Sequence, residues 1–363
     1  MTDASADARV VASISCGRDH TLALLTTGKV IGWGGDGSGR VAPDTPEYCS
    51  TRTAMSRPVE VITQQSLTAI AAGYGVSLGI TAQDEVAIWG ANLAGVGGRV
   101  DAIALATPQQ LNGISSARSV VAGEFQFGAI DSDGSVFTWG LNLDGALGRP
   151  NATLNALPGR IVGLPPMREL VLGKGFTLAL ARERELYAWG TNAAGQLGLG
   201  HLQTGNTPSR VLLPKKIAAI AAGASHSLAV TAAGEVLAWG SNQRGQLGHA
   251  HLPYSPVPLK VVLPEPVQAL AAGLYFSLAL GDSGLVYAWG WNGHGQLGQS
   301  DAEDRHRPQR VPGIAHVRAI AAGQTHAVAL APGYLYGWGG NDAGQLGAAA
   351  LQQREPLPFF AIS

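Results

Sequence analysis

The sequence has 363 residues, of which 46% are hydrophobic and 13% are charged, and its formal net charge is -1. This balance, without a run of Lys or Arg, disfavours a nucleic-acid partner, because such surfaces need clustered positive charge. No signal peptide or membrane-length apolar stretch is present, so we expect a cytoplasmic protein without membrane contact. Abundant Ala and Gly, with Lys scarce beside Arg, favour a bacterial source.

A repeat of about fifty residues follows a polar stretch, residues 1–8, that is predicted to be a disordered tail. Residues around 40–57 indicate an insertion in the first repeat. A proline recurs every 50 residues, at Pro58, Pro108, Pro158, Pro208, Pro258, Pro308 and Pro358. Trp-Gly pairs begin at Trp33, Trp89, Trp139, Trp189, Trp239, Trp289 and Trp338.

Each repeat contains four short apolar segments: one after the proline, one ending in Ala-Gly, one containing Ser-Leu-Ala, and one ending in Trp-Gly. Short apolar runs bounded by glycine turns are typical of strands, and no repeat offers the length of periodicity that a helix needs. Four strands make one propeller blade, which must stack on its neighbours to bury both faces. The sequence therefore predicts an all-β protein, a seven-bladed β-propeller of four-stranded blades, as a single domain over residues 9–363.

Positions within the repeat have distinct expected roles. Small residues such as Ala222 and Gly223 suit strands that crowd around the axis, and Trp239 is predicted to fill the wedge between blades. In the Gly-Gln-Leu-Gly tetrad, Gly195 supplies a positive φ and Leu197 anchors the turn. Asn192 is expected to bond backbone amides of that turn.

The two ends of the sequence suggest how the ring closes. The N-terminal part begins with an Ala-Gly type strand, whereas the C-terminal part finishes on the proline segment EPLPFFAIS. We therefore predict that the strand around 359–362 pairs into the blade begun by residues 10–34, which removes an exposed edge.

A repeat that reads Ala-Gly-x-x-His-Ser-Leu-Ala, then Val-x-x-Trp-Gly-x-Asn-x-x-Gly-Gln-Leu-Gly, resembles the regulator of chromosome condensation repeat family. The third to seventh units carry these motifs clearly, whereas in the first two Val76 replaces His and Asp36 replaces Asn. The resemblance implies a seven-bladed propeller used as a recognition platform. Members of that family include a nucleotide exchange factor for the small GTPase Ran, a bacterial inhibitor of β-lactamases and a plant ultraviolet receptor, so the fold alone does not select a function.

Sequence motifs for catalysis are weak. His20, His226 and His326 share one repeat position, but Val, Gln and Phe occupy it elsewhere, which favours hydrogen-bonded structural histidines over metal or acid-base roles. The GHGQLG segment at 293–298 matches a dinucleotide pattern, yet it is one copy of a recurring turn without a βαβ unit. We therefore expect no cofactor and no metal.

The two residues after each repeat glycine vary strongly, and folding does not dictate that variation. The loops that hold them should meet on one face, where aromatic residues among charges are typical of an interface hot spot. Ordinary loop variation is the competing interpretation. The candidate partner-binding residues are Arg18, Asp19, Tyr74, Glu124, Phe125, Lys174, Leu274, Tyr275 and Gln324.

Trp291 stands outside the Trp-Gly pairs, and together with His294 it is predicted to mark a second surface on the opposite face. A single exposed aromatic residue is also common on ordinary surfaces.

The favoured hypothesis is a non-enzymatic, monomeric scaffold that binds a protein or peptide and thereby regulates or inhibits its partner. Two alternatives remain open: guanine nucleotide exchange on a small GTPase, and a hydrolase or peptidase with a site assembled from several blades.

Overall fold

The computed structural model describes residues 10–37, 39–41, 54–92, 104–150, 152–213, 215–348 and 352–362. These residues form seven four-stranded antiparallel sheets, which confirms the predicted all-β, seven-bladed propeller. The predicted tail, 1–8, and the central part of the predicted insertion, 42–53, lie outside the described residues.

The first three blades each run in chain order from their innermost to their outermost strand. Blade 1 contains β1 (Val11–Cys16), β2 (His20–Leu25), β3 (Val30–Gly35) and β4 (Ala54–Val61). Blade 2 contains β5 (Leu67–Ala72), β6 (Val76–Thr81), β7 (Val86–Ala91) and β8 (Ala104–Gln110). Blade 3 contains β9 (Ala117–Ala122), β10 (Gln126–Asp131), β11 (Val136–Leu141) and β12 (Asn155–Arg160), with a 3₁₀ turn at Leu143–Gly145.

The other four blades repeat this order. Blade 4 contains β13 (Met167–Leu172), β14 (Phe176–Ala181), β15 (Leu186–Gly190) and β16 (Gly205–Val211). Blade 5 contains β17 (Ile217–Ala222), β18 (His226–Thr231), β19 (Val236–Ser241) and β20 (Tyr254–Val261). Blade 6 contains β21 (Val267–Ala272), β22 (Phe276–Gly281), β23 (Val286–Gly290) and β24 (Arg305–Arg310). Blade 7 contains β25 (Ala319–Ala322), β26 (His326–Ala331), β27 (Tyr334–Gly340) and β28 (Gln352–Ala361).

The proline segment is the outermost strand of each blade and not the first. Pro258, for example, lies within β20, which pairs with β19 alone. Proline has no backbone N–H to donate, so it is tolerated where one side of a strand has no partner. Its recurrence therefore protects the rim of the disc against pairing with another chain.

The predicted pairing between the two ends of the sequence is wrong. β28 completes blade 7 by pairing with β27, and β4 completes blade 1 by pairing with β3. In every blade the Ala-Gly strand is innermost and the proline strand that ends the same repeat is outermost. Each blade therefore consists of four strands that are consecutive in the chain, and no strand is shared between the two ends. The ring closes through contacts between blades 7 and 1, where β1 packs against β25 and β26.

Side chains make this closing contact. Trp33 of blade 1 packs edge-to-face against Phe359 of blade 7, with ring centroids 5.2 Å apart. Two blade-1 donors, the indole nitrogen of Trp33 and the hydroxyl of Thr21, bond the Gln345 carbonyl of blade 7 at 2.8 and 3.0 Å. The junction thus combines aromatic packing with satisfied buried donors.

The repeat tryptophans join neighbouring blades in the same way elsewhere. Trp239 is fully buried, and its indole nitrogen donates to the Gln196 carbonyl in the turn of the preceding blade at 2.9 Å. Truncating such a buried aromatic ring to alanine costs about 3–5 kcal/mol. Equivalent bonds run from Trp33 to Gln345, Trp89 to Arg40, Trp189 to Ala146, Trp289 to Gln246 and Trp338 to Gln296.

The Gly-Gln-Leu-Gly turns behave as predicted. In blade 4, Gly195 and Gly198 have φ of 80° and 71°, and Leu197 is fully buried. The side-chain amide oxygen Oδ1 of Asn192 accepts the backbone N–H of Leu197 at 2.9 Å, as expected. This side-chain bond fixes the turn that receives the indole of the next blade.

The antiparallel order defines two faces of the disc. The upper face carries the connections between first and second strands, such as 223–225, and between third and fourth strands, such as 242–253. The lower face carries the connections between second and third strands, such as 232–235, and those leading to the next blade, such as 262–266. Across the described ranges, no helix is long and apolar enough to cross a bilayer.

Candidate functional site

A channel of about 340 Å³ runs along the axis between the seven innermost strands. Small residues such as Ala222, Gly223, Ala272 and Gly273 line its wall, as their spacing predicts. At the upper face its lining includes six of the candidate residues: Arg18, Tyr74, Glu124, Lys174, Leu274 and Gln324.

Backbone hydrogen bonds between neighbouring blades hold this channel mouth in place. The Tyr74 N–H donates to the Gly123 carbonyl at 3.1 Å, and the Leu274 N–H donates to the Gln324 carbonyl at 3.1 Å. Side chains at the mouth therefore project from loops whose backbone is already fixed, which lowers the entropic cost of binding.

Three side chains form the first aromatic cluster, the Tyr74 cluster of Arg18, Tyr74 and Phe125. The rings of Tyr74 and Phe125 have centroids 5.3 Å apart. The Arg18 guanidinium carbon lies 4.2 Å from the centre of the Tyr74 ring, and Arg18 also donates to the Tyr74 hydroxyl. This arrangement combines a tilted aromatic pair, with an interplanar angle of 41°, and a cation-π contact.

Sequence reasoning missed Arg40, which holds the backbone of the Tyr74 cluster by a hydrogen bond to the Tyr74 carbonyl. Its guanidinium bonds the carbonyls of Gly35 at 2.6 Å and Tyr74 at 3.0 Å, and it forms an ion pair with Asp19 at 3.0 Å. Burial lowers the pKa of Arg40, with the Asp19 and Asp36 carboxylates opposing that effect. Candidate residue Asp19 therefore serves largely as the counterion of Arg40. The available signal was the GRVA segment at 39–42, where arginine stands in place of the repeat glutamine.

A second aromatic cluster, the Trp291 cluster, consists of Tyr275, Trp291 and His294. The Tyr275 and Trp291 ring centroids lie 6.1 Å apart, and those of Trp291 and His294 lie 5.1 Å apart. The Trp291 N–H donates to the Tyr275 carbonyl at 2.9 Å. Tyr275 is 37% exposed, so the cluster combines a fixed backbone with solvent access.

The prediction that Trp291 and His294 mark the opposite face is therefore wrong. In an antiparallel four-stranded blade, the connection between strands one and two and the connection between strands three and four lie at the same end. Both residues consequently belong to the upper face, beside Tyr275.

The remaining candidates place charge at the channel mouth. Lys174 forms an ion pair with Glu124 at 3.3 Å, with side chains 66% and 20% exposed. An exposed pair of this kind adds little stability, so both groups are available to a partner at small cost.

The three repeat histidines are fully buried and hydrogen-bonded between neighbouring blades. His226 is fully buried, and its Nε2 lies 3.0 Å from the Ser277 hydroxyl of the next blade. His20 pairs in the same way with Ser77, and His326 with Thr21, each at 3.0 Å. Burial lowers the pKa of His226 and of His326 to about 3, so both rings are neutral at pH 7.

Within the residues that the structure covers, no group of three or more His, Cys, Asp or Glu side chains is arranged to hold a metal ion. Fold and site together define a seven-bladed propeller with an axial channel, whose upper mouth is flanked by two aromatic clusters.

The chain belongs to the RCC1-like domain family, whose model matches residues 95–361. A regulator of chromosome condensation (RCC1) repeat model also matches residues 11–40. No protein of curated function matches the sequence significantly.

Solved structures show the same fold. Human WBSCR16 superposes with a TM-score of 0.82 at 23% identity, covering 92% of this chain and 94% of its own. Prp20p from Saccharomyces cerevisiae gives a TM-score of 0.78 at 24% identity, covering 88% of this chain and 82% of its own. Its structure is described together with its binding to Gsp1p and histones. At these identities the likeness establishes the fold alone.

Proposed function

We propose that this protein is a non-enzymatic platform whose upper face binds a protein or peptide partner and thereby regulates or inhibits it. The observation that carries the proposal is the pair of aromatic clusters flanking the channel mouth. In this proposal the protein is a cytoplasmic monomer, forms one domain over residues 9–363 and needs no cofactor.

The composition of the upper face supports this role. Aromatic residues and arginine dominate interface hot spots, particularly where polar residues surround them. The Tyr74 cluster supplies two rings and a guanidinium, and the Trp291 cluster supplies two rings and an imidazole. Charged neighbours such as Glu124 and Lys174 provide the polar surround.

The rigidity of the face supports it further. Hydrogen bonds across blades fix the loop backbones, so a partner need not order them on binding. The solved relative Prp20p is described with protein partners, which is consistent with a protein-binding use of this fold.

The double substitution Tyr275→Ala with Trp291→Ala should weaken partner binding by more than about 100-fold, because each hot-spot truncation costs about 2 kcal/mol or more. The partner is first identified by co-purification and mass spectrometry, then produced recombinantly. Its affinity for each variant is measured by isothermal titration calorimetry.

A matched control is Tyr334→Ala with Val262→Ala, which removes two hydrophobic side chains that are 46% and 81% exposed on the lower face. This control should bind like the wild type. Equal affinity of the two double variants, with unchanged circular dichroism, would refute the proposed site.

A further inference from the structure

The base of blade 4 on the lower face carries a concentration of positive charge. Five exposed basic residues project from its strand ends and connections: Arg168, Arg182, Arg184, Lys215 and Lys216. Blade 4 also carries Glu183 and Glu185 in this region, but the lower segments 232–235, 262–266 and 282–285 of blades 5 and 6 carry acidic residues and no Lys or Arg. The patch is therefore a local feature of one blade in a chain of nearly neutral net charge.

Contacts between blade 4 and the segment that leads into blade 5 assemble these residues into one groove. The Ile217 N–H donates to the Arg184 carbonyl at 3.3 Å, and the Lys216 ammonium donates to the Glu183 carbonyl at 2.7 Å. A cavity of about 490 Å³ lies here, with Arg184, Lys215 and Lys216 on its lining.

Much of the positive charge in this groove is not neutralised. Glu185 is paired with Arg210 at 2.7 Å, and Glu235 of the next blade is shared by Lys215 and Lys260. Within the described part of the chain, Arg182, Arg184 and Lys216 form no ion pair with a carboxylate. Arg182 and Lys216 donate to backbone carbonyls, so their positive charge is not paired with a carboxylate, and Glu183 is the carboxylate next to Arg182 and Arg184 in the sequence.

Aliphatic side chains accompany the charge. Buried Leu186 and Val211 form the floor of the groove. Leu212 on its rim is 82% exposed, and Val162 at the end of the neighbouring blade is 89% exposed. Cations beside exposed aliphatic groups complement a chain segment that alternates carboxylates with apolar side chains.

Arg184 occupies a strained backbone position. Its φ is +65°, in the tight turn between the second and third strands of blade 4. Five other blades place a glycine there: Gly28, Gly134, Gly234, Gly284 and Gly333. Blade 2 has Asp84 at this position with a φ of +61°, so Arg184 is one of two side chains held where glycine would fold with less strain.

We propose that this groove binds an acidic peptide segment of a partner protein, with Arg184 and Lys216 engaging its carboxylates and Leu212 contacting its apolar side chains. A peptide fits better than a nucleic acid, because the described residues that line the groove include no aromatic ring on which a base could stack. This site is independent of the upper-face clusters.

The substitution Arg184→Gly separates function from folding. Glycine restores the residue type preferred at this turn, so the thermal transition should stay unchanged or rise. Binding of a fluorescent peptide that alternates glutamate with leucine should weaken at least about tenfold, and further when Lys216→Ala is added. Fluorescence anisotropy at low and high salt measures both effects, and salt should weaken wild-type binding.

A matched control is Lys29→Ala with Arg118→Ala, which removes two lower-face cations already paired with Glu60 and Asp84. This control should retain affinity, and a peptide with glutamine in place of glutamate should not bind. Equal weakening by both sets of variants would overturn the proposal. So would phosphatidylserine vesicles or single-stranded DNA binding with the same dependence on Arg184.

Discussion

Lowering the pH from 7 to about 4.5 should reduce the free energy of unfolding by about 2–3 kcal/mol for each of the buried residues His226 and His326. Burial lowers the pKa of His226 and His326 to about 3, from 6.5. It also lowers the pKa of His20 well below the usual value, assisted by Arg40 and His326. Below pH 6.5 the unfolded chain therefore binds more protons, so this stability is present above 6.5 and is lost as the pH falls towards 3.

Chemical denaturation at a series of pH values measures this loss. Replacing His20, His226 and His326 with phenylalanine should flatten the pH dependence, because the added rings cannot be protonated. Blade 4 already has phenylalanine at this repeat position, because Phe176 is the equivalent of His226. The neighbouring blade has serine in both cases: Ser227 is the equivalent of Ser277, the hydrogen-bond partner of His226.

Glu169 requires a separate control because its effect has the opposite sign. Burial raises the pKa of Glu169 to about 7, opposed by a hydrogen bond from Ile220. Its contribution to stability is present below 4.5 and is lost as the pH rises through 7. The variant Glu169→Gln cannot be deprotonated, so it removes this pH-dependent contribution to the free energy of unfolding. An unchanged pH profile in the triple histidine variant would contradict our assignment.

Removing β28 should destabilise the fold by more than the loss of one buried aromatic ring, which costs about 3–5 kcal/mol. The deletion removes the outer strand of blade 7, exposes the edge of β27, and strips Phe359 from Trp33 at the closing contact. Differential scanning calorimetry should show a broad transition at a much lower temperature, with increased aggregation through the open edge.

Two substitutions within β28 test which contact matters. Phe359→Ala should reproduce much of the loss, because it breaks the junction with blade 1. Leu357→Ala should have little effect, because this side chain is 42% exposed. If the deletion leaves the transition unchanged, blade 7 does not need its outer strand and the closure described above is wrong.

The repeat pattern was sufficient to predict the fold because each blade supplies the same few constraints. Tryptophan spacing gives the number of blades, and the recurring glycines and leucines give the turns. A cyclic pattern does not reveal where one blade ends and the next begins, however. Pro358 lies at the same repeat position as Pro258, and only their lack of an outer neighbour identifies both as edge-strand residues.

Two features of the upper face were beyond sequence reasoning for related physical reasons. Trp291 is separated from Tyr275 by a whole hairpin, and the two meet because antiparallel strands return the chain to the same end of the blade. In the sequence, Arg40 is only a departure from the Gly-Gln-Leu-Gly motif of later repeats. Its partners Asp19 and Tyr74 belong to two different blades, so its supporting role emerges only when those blades are packed together.

Site-specific photo-cross-linking tests the central claim most directly, namely that the upper face is the partner-binding surface. A photoreactive amino acid is placed at Tyr275, at Tyr74 or, as the control, at Ile62, which is 54% exposed on the lower face. We predict that the two upper-face positions capture the same protein and that Ile62 does not. Capture of that protein from Ile62 alone, or equally from all three positions, would contradict the account.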